Sequence, residues 1–140
     1  MNEQDSLERR NLSPAGWAPP SGYTNGVVAS GRVVVLAGQI GWNPVTTTVE
    51  SNEFAPQVRQ ALENIVTLLH EAGAEPRHLV RLTWFVTDLD AYRASRREIG
   101  QAYRELMGAH YPPMSVIVVA GLVEERALIE IEATAIIPGA

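Results

Sequence analysis

Two runs near the C-terminal end limit what this chain can fold into: HYPPMSVIVVA over residues 110–120 and IEIEATA over residues 129–135. Pro112 and Pro113 lack backbone donors, so they belong at the mouth of a strand rather than inside one. The residues after them, 114–120, are short, apolar and rich in β-branched side chains, which predicts a strand buried on both faces. Met114 stands at its mouth, where a pocket-lining side chain would sit. The second run alternates. Leu128, Glu130, Glu132 and Thr134 share one face, and Ile129, Ile131, Ala133 and Ala135 share the other. Two carboxylates on one face of an otherwise apolar strand call for a reason, and Glu130 is the first candidate for chemistry. Glu132 reads as structural.

The size of the chain, 140 residues, predicts one folded domain, 13–140, behind a mobile N-terminal arm, 1–12. There is no cysteine, which excludes disulfides, a thiol nucleophile and thiolate metal ligands. All the basic residues are arginine, which excludes a lysine Schiff base within the chain. A net charge of −5 argues against general binding to a phosphate backbone. His70, His78 and His110 show no metal-ligand spacing; His110, beside Met114, is the one with some chance of touching a ligand. No metal and no cofactor are expected. No apolar run approaches the length of a bilayer span, and the polar N-terminus lacks an apolar signal core. These features predict a cytoplasmic protein.

In chain order, Trp17 lies in a Pro- and Gly-rich extended segment and is expected to anchor the arm. Residues 26–30 and 32–39 read as a hairpin turned by Gly31. Residues 54–72 show helical periodicity through Phe54, Val58, Leu62, Ile65 and Leu69, with Ser51 or Asn52 as the cap and Gly73 as the stop. Residues 79–87 predict a strand with Val80, Leu82, Trp84 and Val86 on one side. Asp88 or Asp90 then caps a second helix running to about Met107, with Tyr92, Ile99, Tyr103 and Leu106 inward. Arg93, Arg96, Arg97 and Arg104, interleaved with Glu98 and Glu105, read as its solvated face. The order is β-β-α-β-α-β-β, an α+β fold with two helices on one sheet face. Several strands are apolar on both faces, and one helix layer covers only one of them. The simplest cover for the other is another copy of the chain, so a homo-oligomer is expected.

Pro-Pro-Met-Ser followed by Ile-Glu-Ile-Glu-Ala resembles the C-terminal signature of the YjgF/RidA family of enamine/imine deaminases. Other landmarks occur in order: Tyr23 after the N-terminal prolines, Ala37-Gly38-Gln39-Ile40, Asn64 within the first helix, and Phe85-Val86-Thr87-Asp88. The similarity spans roughly residues 19–137. It implies a chorismate-mutase-like mixed sheet, a homotrimer and small-molecule pockets between subunits. It also places Tyr23, Gly38 and Glu130 on pocket positions, with Glu130 holding the attacking water. Three positions depart from the pattern. Ala37 replaces a serine, Val116 a frequent cysteine, and Met114 the arginine that grips a substrate carboxylate. Trp84 joins Met114 as a candidate pocket wall.

Loss of one partner of a buried charge pair costs about 2–5 kcal/mol. That corresponds to roughly 30- to several-thousand-fold in affinity. The expected activity is therefore hydrolysis of an enamine, imine or related compound other than a 2-imino acid. The alternative is a non-catalytic trimer that binds a metabolite or protects clients. RNA cleavage, also attached to the family by name, is disfavoured by the acidic charge and the lack of a catalytic histidine pair.

Overall fold

The computed structural model describes residues 9–139. Its strands are β1 (Arg9–Asn11), β2 (Val27–Ala29), β3 (Arg32–Ile40), β4 (Trp42–Asn43), β5 (Thr48–Val49), β6 (Leu79–Val86), β7 (Met114–Val118) and β8 (Ile129–Ile137). Helix α1 (Phe54–Glu71) lies between β5 and β6; α2 (Leu89–Ala94) and α3 (Arg96–Met107) lie between β6 and β7. The main sheet runs β3-β8-β6-β7. Strand β8 is antiparallel to both β3 and β6, while β7 is parallel to β6, as the helical crossover between them requires.

The alternation expected for 129–135 holds. Ile129, Ile131, Ala133 and Ala135 are buried beneath the helices, beside Leu82, Trp84 and Val86 of β6. Helix α1 contributes Val58, Leu62, Ile65 and Leu69 to the same core, and α3 contributes Ile99, Tyr103 and Met107. The opposite sheet face is uncovered in the single chain. Val33 and Val35 of β3 are 61% and 75% exposed there, and Ile117 of β7 is 44% exposed.

Several expectations need correction. The anticipated hairpin between 26–30 and 32–39 does not form. Strand β2 pairs with β1, and β3 pairs along its length with β8. Gly31 has φ 142°, and a Cβ there would lie 2.0 Å from the Ile137 carbonyl oxygen, so the glycine lets β3 swing alongside β8 instead. Of the expected arm, residues 1–8 lie outside the described residues, but Arg9–Asn11 is a paired strand. Trp17, expected to pack the arm onto the domain, is 64% exposed in the single chain. Strand β7 is an edge strand, so Val116, Ile117 and Val118 are exposed rather than buried on both faces. The second helix breaks at Ser95 into α2 and α3. Asp88 does cap it, accepting a bond from the Ala91 N–H at 3.0 Å. For α1 the N-cap residue is Glu53, without a side-chain cap. Ser51 and Asn52 are engaged otherwise, by the Glu53 N–H and by Arg126.

Gln57 is a fully buried polar residue of α1 that the periodicity does not single out. Its Nε2 donates to the carbonyls of Ser51 (2.8 Å) and Arg126 (3.0 Å), and its Oε1 accepts from the Leu128 N–H (2.8 Å). One side chain thus ties the start of α1 to the turn that feeds β8. Gly41 permits this approach, since a Cβ there would sit 2.6 Å from Gln57 Cα. Replacing Gln57 by Met keeps the bulk but strands buried backbone groups at about 1–3 kcal/mol each. Urea unfolding at fixed protein concentration should show Gln57→Met destabilised by roughly 2–5 kcal/mol. An unchanged midpoint would mean the tie is dispensable.

Candidate functional site

Strands β1 and β2 close the loop that carries Tyr23. The Leu12 N–H donates to the Gly26 carbonyl at 2.8 Å, extending their pairing. Further along, Thr24 Oγ1 donates to the Tyr111 carbonyl and the Thr24 N–H to that of Pro112 (3.4 Å). Tyr23 is thereby held over the mouth of β7. Pro112 and Pro113 are buried there, and the Pro113 carbonyl accepts from the Leu82 N–H at 3.0 Å.

Below Tyr23 lies a cavity of about 690 Å³. Trp84, Met114 and Val116 form its strand side, at adjoining positions of β6 and β7. Tyr92, Ile99, Gly100 and Tyr103 form the helix side, with Arg96 and Arg104. Tyr103 stacks on Tyr111 at a centroid distance of 5.1 Å, and its hydroxyl donates to the His110 carbonyl at 2.6 Å. Burial pushes the Tyr103 hydroxyl well above the usual phenol range, so it serves as a neutral donor. The Trp84 indole N–H is buried and has no hydrogen-bond partner among the described residues.

The other predicted site residues lie elsewhere. Ala37 and Gly38 occupy a bulge of β3, where the register with β8 shifts between Leu36 and Gln39. Glu130 lies across that bulge. A Cβ on Gly38 would be 2.7 Å from Glu130 Cδ and 2.9 Å from its Oε2. The half-buried Glu130 makes no side-chain hydrogen bond with another described residue. The seven candidates therefore divide. Tyr23, Trp84, Met114 and Val116 surround the cavity; Ala37, Gly38 and Glu130 form a second group across the sheet. The cavity lies on the helix-covered face, whereas Glu130, paired with Phe85 one position from Trp84, faces the other side of the sheet, so one chain does not bring the groups together.

Arg96 and Arg104 are exposed, as a solvated helix face requires, and they also border the cavity, which the sequence reading did not foresee. Their spacing from Tyr92 and Gly100, at multiples of four, was the available signal. His110 turns away from the cavity. Its Nε2 donates to the Leu79 carbonyl at 3.1 Å, beside Arg9, whose Nη2 reaches the same carbonyl at 2.8 Å. Among the described residues no cluster of potential ligands could hold a metal ion, and no helix is long and apolar enough to cross a membrane.

The sequence model of the family described as Endoribonuclease L-PSP matches residues 15–137. A RutC family protein of Haemophilus influenzae is 36% identical over 106 residues, covering 76% of this chain and 80% of that protein. The Escherichia coli 2-iminobutanoate/2-iminopropanoate deaminase is 34% identical over 124 residues, covering 89% and 91%. A solved Rid-family protein, YyfB of Yersinia pestis, superposes with a TM-score of 0.81 at 34% identity, covering 93% of this chain and 99% of that one. The chain belongs to the YjgF/RidA family.

Burial, then the neighbouring Arg9 charge, lowers the His110 pKa below its ordinary 6.5, outweighing its bond to Leu79. The unfolded chain takes up this proton first as pH falls, so stability should drop below about pH 6.5. Urea titrations across that range should show the drop, and a smaller one in His110→Gln. Equal slopes in both proteins would assign the acid sensitivity to other groups.

Proposed function

We propose that this protein is a hydrolytic deaminase of imines or enamines, working as a homotrimer with a composite site at each subunit contact. The observation that carries this reading is the unengaged Glu130 carboxyl lying across Gly38. The cavity borders the edge strand β7, while Ala37 and Gly38 lie on the other edge strand, β3, next to Glu130 on β8. A head-to-tail contact of β3 on β7 would join one copy's Glu130 to the next copy's cavity and close into a ring. The exposed Val33, Val35 and Ile117 would be covered in the same step. Three as the number in that ring comes from the family resemblance.

In this site Glu130 accepts a proton from water as the water oxygen bonds to the protonated imine carbon. The resulting carbinolamine receives that proton on nitrogen from Glu130. The C–N bond then breaks as the carbinolamine hydroxyl gives up its proton to Glu130, leaving a carbonyl compound and ammonia, which carries off the remaining proton as ammonium. Tyr23 and the backbone around Gly38 orient the substrate, and Met114 shapes its binding wall. The relatives named 2-iminobutanoate/2-iminopropanoate deaminase support the reaction type. Met114 offers no donor to a carboxylate beside the reacting carbon, so the preferred substrates lack one there. The strand side of the cavity carries only Met114, Val116 and Trp84, which gives weight to a second reading, a non-catalytic metabolite-binding trimer.

Ammonia release from freshly generated imines separates the two. Wild type should turn over imines without a 2-carboxylate, and Met114→Arg should gain activity on 2-imino acids. Glu130→Gln should lose roughly 10²–10⁴-fold, the range of a general acid–base group. A silent Glu130→Gln, or no turnover by any variant, would favour the binding reading. Efficient wild-type turnover of 2-imino acids would show that Met114 does not set specificity.

A further inference from the structure

Arg96, Gly100 and Arg104 recur every four residues along α3, and all three border the cavity. The two arginines are eight residues apart, about 12 Å along the helix axis. Gly100 lies between them in the helix interior, where glycine costs roughly 1 kcal/mol relative to alanine. Its φ is not in the left-handed range, so the backbone does not demand it. What its missing side chain provides is room. A Cβ at position 100 would meet only Arg104, with Nη1 at 3.2 Å and Cζ at 4.0 Å. The Arg104 guanidinium therefore folds back over Gly100 toward the helix start, and so toward Arg96. The glycine is a floor on which a cation rests.

Neither arginine forms an ion pair or side-chain hydrogen bond with a described residue. Glu105, next to Arg104 in sequence, is taken up by Arg59 of α1 and by Gln101. Both guanidinium groups are thus available at the cavity, facing walls made by Trp84, Tyr92, Tyr103 and Tyr111. The volume, about 690 Å³, suits a small organic molecule.

We infer that this cavity binds a compound with an aromatic body and an oxyanion, carboxylate or phosphate, with Arg96 and Arg104 holding the oxyanion from the helix side. The inference deepens the deaminase reading by naming the substrate class. The reacting carbon lies toward Met114 and Tyr23, and the anion lies remote from it. Binding as such does not depend on turnover.

Isothermal titration calorimetry with inert probes tests this apart from catalysis. The probes are 3-phenylpropionate, phenyl phosphate, the neutral 3-phenylpropionamide, and acetate as an anion with no aromatic body. At least one aromatic anion should bind about tenfold tighter than the amide and than acetate, and high salt should shrink the margin. Arg96→Gln/Arg104→Gln should erase the margin. Gly100→Leu, a good helix former that fills the floor, should weaken aromatic anion and amide alike. Arg97→Gln, a charge change on the same helix away from the cavity, should leave the margin intact. Equal affinity for anion and amide, survival of the margin in the double variant, or no binding of any aromatic anion at millimolar concentration would overturn the inference. A silent Glu130→Gln in the ammonia assay would sink the deaminase reading while leaving these binding results standing.

Discussion

The fold depends on β8 being paired on both sides while only one of its faces is covered. Pairing with β3 and β6 satisfies its backbone, and the period of two sends Ile129, Ile131, Ala133 and Ala135 beneath the helices. The same alternation must send Glu130 and Glu132 to the other face. A one-residue slip would bury two carboxylates and expose four apolar side chains, so the register is strongly specified. The position of Glu130 follows from the requirements of the core. Gln57 reinforces it by fixing the turn just before the strand begins.

Much of this was legible in the sequence, and the failures have physical causes. Elements set by period and burial, such as α1, β6 from Leu82 onward and the two faces of β8, read correctly because each residue's environment follows from its neighbours in sequence; at the start of β6 an irregularity between Leu79 and Arg81 puts Leu79 in the core in place of the expected Val80. Long-range pairing did not. The segment around Gly31 looked like a hairpin, since β-branched runs flanking a glycine carry no record of which partner wins. Here nine residues of β3 find a longer partner in β8 than the three residues of β2 offer. Residues 114–118 looked buried on both faces because composition registers apolarity, not coverage. Arg96 and Arg104 are solvated as charge on a helix usually is, but the charge pattern alone gives no sign that they also border a cavity. Only the placement of α3 beside β7 turns that stripe toward a cavity.

The chain also shows why the candidate residues needed two groups. Tyr23, Trp84, Met114 and Val116 converge because the β1–β2 loop is pinned to the start of β7 by Thr24. Ala37, Gly38 and Glu130 converge because a bulge in β3 opens room for the carboxyl. Each group is organised locally, by contacts within one chain. What divides them is the sheet itself, since Trp84 and Glu130 lie on neighbouring strands but point to opposite faces. On the proposed reading, a site that uses both groups is built by association, and the apolar exposure of Val33 and Val35 would supply the drive for it.

On the proposed reading the recognising cation stands on α3 and not on β7, and that changes what recognition rests on. An arginine at position 114 would stand among buried residues at the strand mouth, where a paired charge is worth several kcal/mol and its loss is severe. Arg96 and Arg104 are exposed, and ion pairs in such surroundings contribute about 0–1 kcal/mol each. Burial of an aromatic ring against Trp84 and the tyrosines, at about 25 cal/mol per Å², easily exceeds that. On this arrangement the rings supply most of the affinity, and the helix arginines decide which end of the ligand faces outward. Orientation of that kind places the uncharged end toward Met114, beneath Tyr23. That is the position a carbonyl-forming centre must occupy if a carboxylate from the neighbouring copy is to deliver water to it.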